Sequence, residues 1–132
     1  MEGKLPRDII DVILDTIPVE LTVLDENDRV IGWSSGKPRL FERAPEIMGR
    51  DVRTCHSEKS IGTVERMLSE MKEGTRNSAR FWYDEVVGGA SQKMLVEYYA
   101  LRNRDGRYLG CIEALQNIDG IRSLAGEKRT LD

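Results

Sequence analysis

Apolar and polar positions recur along this chain with two different periods, and the changes of period divide it into elements. Between Gly49 and Gly74, apolar residues fall at Ile61, Val64, Met67, Leu68 and Met71, the three-and-four spacing of an amphipathic helix. Glu65, Arg66, Glu70 and Lys72 fill the opposite face. Ser57 and Ser60 are both candidate N-caps, because a hydroxyl accepts from an unpaired first-turn N–H. Gly74 is the predicted stop, since it takes the left-handed conformation that ends many helices. Gly62 is a local inconsistency one turn in, where Gly costs about 1 kcal/mol relative to Ala. It either admits a close neighbour or is neutral.

A second helical stripe runs from Pro6 to Ile17, with Ile9, Ile10, Ile13, Leu14 and Ile17 on one face. Pro6 suits a first turn, where its missing N–H costs nothing, and Pro18 ends the run. The stripe is wide for so short a helix, which fits either packing on its own domain or a dimer contact. Glu20 to Trp33 reads as a hairpin around the turn-forming Asp25-Glu26-Asn27-Asp28. Ser34 to Arg39 reads as loop, and Phe41 to Met48 as short helical turns. Three strands follow the long helix: Asn77 to Tyr83, Gln92 to Arg102, and Tyr108 to Gln116. Gly88-Gly89 marks a turn within 86–91, and Asn103-Arg104-Asp105-Gly106 is a tight turn, since Asp-Gly accepts positive φ. The charged tail from Asp119 to Asp132 reads as an exit helix or a partly frayed segment.

This order predicts an α+β domain, a five-stranded antiparallel sheet with helices on one face. One long helix over five strands leaves a space that side chains or a ligand can fill. The boundaries expected are a flanking helix over 1–18, the domain over 19–118 and a linker or helix over 119–132.

Composition adds mainly exclusions. A chain of 132 residues is one domain's worth. Twenty basic residues against 23 acidic ones, net charge −3, argue against a polyanion-binding surface. No apolar run reaches bilayer length, and the N-terminus lacks the apolar core of a signal peptide. Cys55 and Cys111 stand far apart with no CxxC spacing, which suggests free thiols in a reducing cytoplasm. No phosphate loop, no Ser/His/Asp set and no paired-acid arrangement is visible, so the chain is not expected to be an enzyme.

The hairpin "ELTVLDENDRVIGWS", the stretch "IMGRDVRTCHSEKSIGTVERMLSEMKEG" and the closing "YYALRNRDGRYLGCIEALQNIDGIRSL" together resemble a PAS domain over about residues 19 to 120. The second stretch is similar to the PAS sequence of glycine turn, short helix, His-containing loop and long F helix. In the third, Asp119 stands where the exit linker begins. The spacing of the Gly-Arg, Cys-His, Phe-Trp and Tyr-Tyr-Ala-Leu-Arg groups is similar to the PAS-like C-terminal domain of an uncharacterised prokaryotic family that also carries a hemerythrin-type domain. These 132 residues show no hemerythrin-type portion. The family's usual Pro after the His is Ser57 here, and the segment between Tyr83 and Gln92 looks longer than in relatives. The resemblance implies a sensory and signalling domain that binds a small molecule or cofactor between helix and sheet and forms a homodimer through its flanking helices. A ligand-free interaction module is the alternative.

His56 is the chain's one imidazole, able to bind haem iron or another metal and to titrate near neutrality. Haem is therefore one candidate guest, with His56 as ligand. Oxygen-sensing haem PAS domains place theirs farther along the helix, nearer Val64. The plainer reading is a His that hydrogen-bonds its own loop. Cys55 adjoins it, but neighbours on an extended stretch point to opposite sides, so a Cys55–His56–Cys111 metal site has no spacing support. Cys111 in a strand reads as core. Trp33, Phe81, Trp82, Tyr98 and Tyr99 are the sheet aromatics, and alternation sends about half of them inward. Met67 and Met71 read as adaptable lining on the helix side. Gln116 sits where PAS domains often place a polar contact to the ligand. Glu97 and Glu113 lie within strands, either facing solvent or paired with Arg80 or Arg102. The expected guest-contacting set is thus His56, Cys55, Trp33, Val64, Met67, Met71, Tyr98 and Gln116.

Overall fold

A computed structural model describes residues 1–36 and 39–132; positions 37 and 38 of the expected Ser34–Arg39 loop lie outside the described residues. Helix α1 covers Arg7–Thr16 and helix α2 covers Glu58–Glu73. The strands are β1 Glu20–Asp25, β2 Val30–Trp33, β3 Ser78–Val87, β4 Ala90–Arg102 and β5 Tyr108–Asn117. They form one antiparallel sheet in the order β2-β1-β5-β4-β3. The α+β architecture expected from the sequence is the one observed.

Helix α2 lies on one sheet face, which removes its apolar stripe from water. Val64, Met67, Leu68 and Met71 are its buried residues. They form a single core with Leu24, Val30, Val52 and Cys111. Leu68, Met71, Met94 and Cys111 are fully buried, and each such Leu or Met side chain contributes roughly 1.5–3 kcal/mol on removal from water. Gly74 takes φ 83° and donates to the Glu70 and Met71 carbonyls, which ends the helix as its sequence requires. At the other end Ser57 holds the N-cap position, but its side chain makes no cap bond. Its hydroxyl lies 3.3 Å from that of Ser60 instead, and its carbonyl accepts the Ser60 and Ile61 N–H groups.

Three boundaries differ from the sequence expectation. The first late strand runs on through Val87, pairing Val86 with Ser91 and Val87 with Ala90 around Gly88-Gly89. The apparently long segment between Tyr83 and Gln92 is therefore strand closed by a two-residue turn. Asp51 accepts from the Arg53 N–H and starts a 3-10 turn at Val52–Cys55 that apolar spacing does not reveal. The expected exit helix over 119–132 is present only as hydrogen-bonded turns near Gly120–Ser123, followed by coil. Its apolar points, Ile121, Leu124 and Leu131, are exposed, so no packing offsets the backbone entropy of a helix that includes two glycines.

Helix α1 buries none of its residues. The Asp15 carboxylate accepts from the Ser35 N–H at 2.8 Å, which tethers the helix beside the end of β2. Asp11, Leu14 and Asp15 face Leu21, Val23 and Ile112 across a cleft of about 450 Å³. Ile9, Ile10, Val12, Ile13 and Ile17 remain exposed.

The hairpin turn is locked by charge. Asp28 takes φ 63°, a left-handed position that Asp and Asn tolerate. Its carboxylate is 2% exposed and meets Lys72 Nζ at 2.6 Å and Arg53 Nη1 at 2.9 Å. Arg53 also pairs with Asp51 and Glu65, so one guanidinium joins the hairpin, the 3-10 turn and α2. Its pKa is raised, first by the bond to Glu65.

Two stability predictions follow from this packing. Gly62 is exposed and an added Cβ meets open space, so Gly62→Ala should stabilise the fold by about 1 kcal/mol in urea denaturation. No change, or a loss, would mean that the backbone there needs glycine. Asp28→Asn keeps the backbone preference but leaves two cations short of an anion. It should cost about 2 kcal/mol, less than a fully buried broken pair, because Lys72 and Arg53 retain access to water.

Candidate functional site

Alternation along the strands decides which side chains face α2. Rows across the sheet run Phe81, Val96, Leu115 and Glu20, and beside it Ala79, Tyr98, Glu113 and Thr22. These face α2, together with Tyr83 opposite Met94. The row Trp82, Leu95 and Gln116 faces the other way.

The C-terminal half of α2 packs directly on this face, and the N-terminal half stands off from it. The result is a groove of about 340 Å³ between α2 and β3–β4. Val64, Met67, Thr63 and Ser60 line its helix side, Phe81, Tyr83, Val96 and Tyr98 its sheet side, and His56 and Lys59 its end. Phe81 and Tyr98 meet edge to face, with centroids 6.0 Å apart at 77°, a favourable quadrupole arrangement. The lining is chiefly apolar and aromatic with a few polar groups, the composition of small-molecule sites.

A polar chain borders the groove. The Tyr98 hydroxyl donates to Glu113 Oε2 at 2.7 Å. Arg43 Nη2 donates to Glu113 Oε1 at 3.1 Å and to Thr22 Oγ1 at 3.3 Å. Burial pushes the Tyr98 phenol well above its ordinary range, and the Glu113 carboxylate adds to the effect. Tyr98 is therefore a neutral donor at any physiological pH. Arg43 Nε is buried without a hydrogen-bond partner. It borders a pocket of about 70 Å³ lined also by Thr22, Cys55, His56 and Glu113, room for an ordered water.

The residues singled out from the sequence divide into two groups. His56, Val64, Met67 and Tyr98 come together in the groove. Cys55 is absent from the groove lining and borders the small neighbouring pocket, which it shares with His56, Arg43 and Glu113. Met71 is fully buried in the packed half of α2, where it is core and not lining. Trp33 borders the cleft under α1. Gln116 lies on the sheet face turned away from α2, in register with Leu95, so a contact from it to a guest in the groove does not fit this register. His56 Nδ1 sits 3.4 Å from Ser60 Oγ, a local hydrogen bond from its loop to the first turn of α2. Among the described residues no group of three or more His, Cys, Asp or Glu is placed to hold a metal ion. Burial raises the Cys111 thiol to about 12.

Sequence reasoning placed neither Phe81, Tyr83 and Val96 in the lining nor Arg43 beside it. The first three share alternation with Tyr98, and that signal identifies a face without saying which. Arg43 carries no periodic signal, and Glu113, one of the two strand carboxylates, pairs with it and not with Arg80 or Arg102. Glu97 does pair with Arg80, at 2.7 Å, on the outer face.

The sequence matches the PAS domain family over residues 10–119. No curated protein matches it significantly. Among solved structures it is similar to the crystal structure of a C-terminal domain from Streptococcus mutans. The two are 25% identical with a TM-score of 0.84, over 95% of this chain and 94% of that one. It is also similar to a PAS domain from Colwellia psychrerythraea, at 13% identity and TM-score 0.61, over 86% of this chain and 97% of that one. A third likeness is to a sensory box sensor histidine kinase from Vibrio cholerae, at 10% identity and TM-score 0.55, over 84% and 90% of the two chains. These last two likenesses speak for the fold alone, and among the described residues no helix is long and apolar enough to cross a membrane. With the residues matched, the strand order and the helix laid over the sheet all in agreement, the chain belongs to the PAS domain family.

Proposed function

We propose that this PAS domain is a sensory module that holds a small, largely apolar and aromatic molecule in the groove between α2 and β3–β4. The observation that carries this reading is the groove itself, walled by Val64 and Met67 on one side and Phe81, Tyr83, Val96 and Tyr98 on the other. Its polar features lie at defined places: His56, Lys59 and Ser60 at one end, and the Tyr98 hydroxyl leading to Glu113 and Arg43. Such a division lets the body of a guest be held by burial and its orientation by a few hydrogen bonds. A guest that shifts how α2 lies on the sheet supplies the differential contact that signalling requires.

Haem is the coloured version of the same reading. Of the residues lining the groove, His56 carries the imidazole that would hold the iron, and Lys59 is the cation that would meet a carboxylate. When bound, haem would supply gas binding or electron transfer, while the chain's part is to hold and orient it.

We further propose that the domain forms a homodimer through α1. Its exposed isoleucines and its cleft against Leu21, Val23 and Ile112 present an apolar surface larger than scattered exposure explains. A ligand-free interaction module would use the same surface, with the groove closed by its own side chains.

Two measurements test these readings. Native mass spectrometry and an absorption spectrum of the purified protein, followed by titration with haemin and with an environment-sensitive apolar dye, should show binding. Thr63→Trp, an exposed position on the groove wall, should weaken dye binding at least ~10-fold, a change of about 1.4 kcal/mol. A Soret band lost in His56→Ala would identify haem as the guest, and binding of neither probe would refute the groove as a site. For α1, Ile9→Asp with Ile13→Asp should raise the dimer dissociation constant at least ~10-fold in sedimentation. An unchanged constant would remove α1 from the interface.

A further inference from the structure

The sheet has two edges, and they are built differently. At one edge β2 is four residues long, and Val30 is tied on its outer side to Arg50 and Gly49, at 2.9 and 2.7 Å. At the other edge β3 is ten residues long. It pairs with β4 from Ser78 to Val87 without a bulge, and among the described residues no strand pairs with its other side. Exposed edges of this kind are templates for another strand, and proteins usually shorten, bend or charge them. Here Trp82 stands 65% exposed at the middle of the strand.

The outward backbone groups can be assigned. The Ala100 N–H donates to the Asn77 carbonyl at 2.9 Å, so odd-numbered residues of this strand turn their backbone groups toward β4. Even-numbered residues turn theirs to the open side, by the alternation of an antiparallel ladder. Consistently, the Ser78 carbonyl accepts from Arg76 Nη1 at 3.4 Å. Arg80, Trp82 and Asp84 therefore offer free N–H and C=O groups at the edge, and their side chains share the sheet face turned away from α2.

The sequence around Trp82 is self-complementary. In Arg80-Phe81-Trp82-Tyr83-Asp84, reversal about the Trp exchanges a cation with an anion and one aromatic with another. We propose that β3 pairs antiparallel with β3 of a second copy of this chain, about a two-fold axis at Trp82. Trp82 then faces Trp82, and each Arg80 faces an Asp84 of the other copy. The pairs Arg80–Asp84 and Trp82–Trp82 fall at hydrogen-bonded positions, where both N–H···O bonds are exchanged. Phe81 faces Tyr83 on the side of the groove, so the second strand brings an aromatic side chain to the groove's mouth.

Charge fixes this register against its neighbours. Centring on Arg80 or Asp84 would bring like charges together, and centring on Phe81 or Tyr83 would pair neither charge with its opposite. Each charge already has a partner on its own β4: Arg80 with Glu97 at 2.7 Å and Asp84 with Lys93 at 2.5 Å. Pairing about Trp82 joins these into a row of alternating sign across four strands, Glu97, Arg80, then Asp84 and Lys93 of the second copy. Directly opposed unlike charges stabilise a strand pair, and like charges destabilise it. The contact is isologous and closes on itself. It lies at the sheet edge opposite to β2, beside which α1 is tethered, so the two self-contacts are independent.

The test uses the full chain carrying Ile9→Asp and Ile13→Asp, so that α1 does not contribute. Sedimentation equilibrium at rising concentration should show a monomer–dimer transition. Arg80→Asp and Asp84→Arg each set like charges face to face at both ends of the homodimer, and each should weaken it at least ~10-fold. Mixed in equal amounts, the two variants restore opposite charges at both ends, and dimer strength should return as a heterodimer. Trp82→Pro removes an N–H that β4 does not use and a side chain from the two-fold axis. It should abolish pairing while circular dichroism stays unchanged, since proline is tolerated at such edge positions. A chain with the unaltered edge that stays monomeric at every concentration would overturn the proposal and leave the edge to an extended peptide of another protein. So would a mixture no tighter than either variant alone.

Discussion

The packing of Leu68 and Met71 against Cys111 and Leu24 is the contact on which the other features depend. It joins the one long helix to the central strands of the sheet, and it occupies only the C-terminal half of α2. Because Leu68 and Met71 are wholly buried there, the helix is anchored at one end. Its first turns are held off the sheet by the larger side chains Phe81, Tyr83 and Tyr98. A groove arises from this mismatch in size, without a gap in the core itself.

The position of α2 is also set by charge. Asp28 in the hairpin turn takes Lys72 from the last turn of α2 and Arg53 from the 3-10 turn before it. The carboxylate is nearly inaccessible while both cations keep some contact with water, so the cluster avoids the full desolvation cost of a buried ion pair. Through Lys72 it holds the hairpin against the last turn of α2, and through the Arg53–Glu65 pair it ties the 3-10 turn to the middle of the helix.

The groove and the outer surfaces are separate resources. Tyr98, Glu113 and Arg43 give the inner face a directional polar chain in an apolar setting, where hydrogen bonds are strongest. On the outer face, Arg80, Glu97 and Tyr99 form an exposed network that does not touch the groove. Strand β3 belongs to both, since Phe81 and Tyr83 line the groove while Trp82 and Arg80 face outward.

Much of the fold was legible in the sequence because it rests on local patterns. The three-and-four spacing of Val64, Met67, Leu68 and Met71 specified α2. Gly74 specified its end, and Asp-Gly and Gly-Gly pairs specified turns. Alternation also showed that Phe81 and Trp82, or Tyr98 and Tyr99, must lie on opposite faces. It could not show which face met the helix, since that depends on strand order and register between residues far apart in the chain. For the same reason the sequence alone does not tell that Gln116 faces away from α2, that Met71 lies in the core, or that Arg43 stands beside Glu113. Periodicity is a property of neighbouring residues and survives in the sequence; the choice of face, the depth of packing and the pairing of Glu113 with Arg43 are properties of contacts across the sheet, and only the tertiary structure decided them.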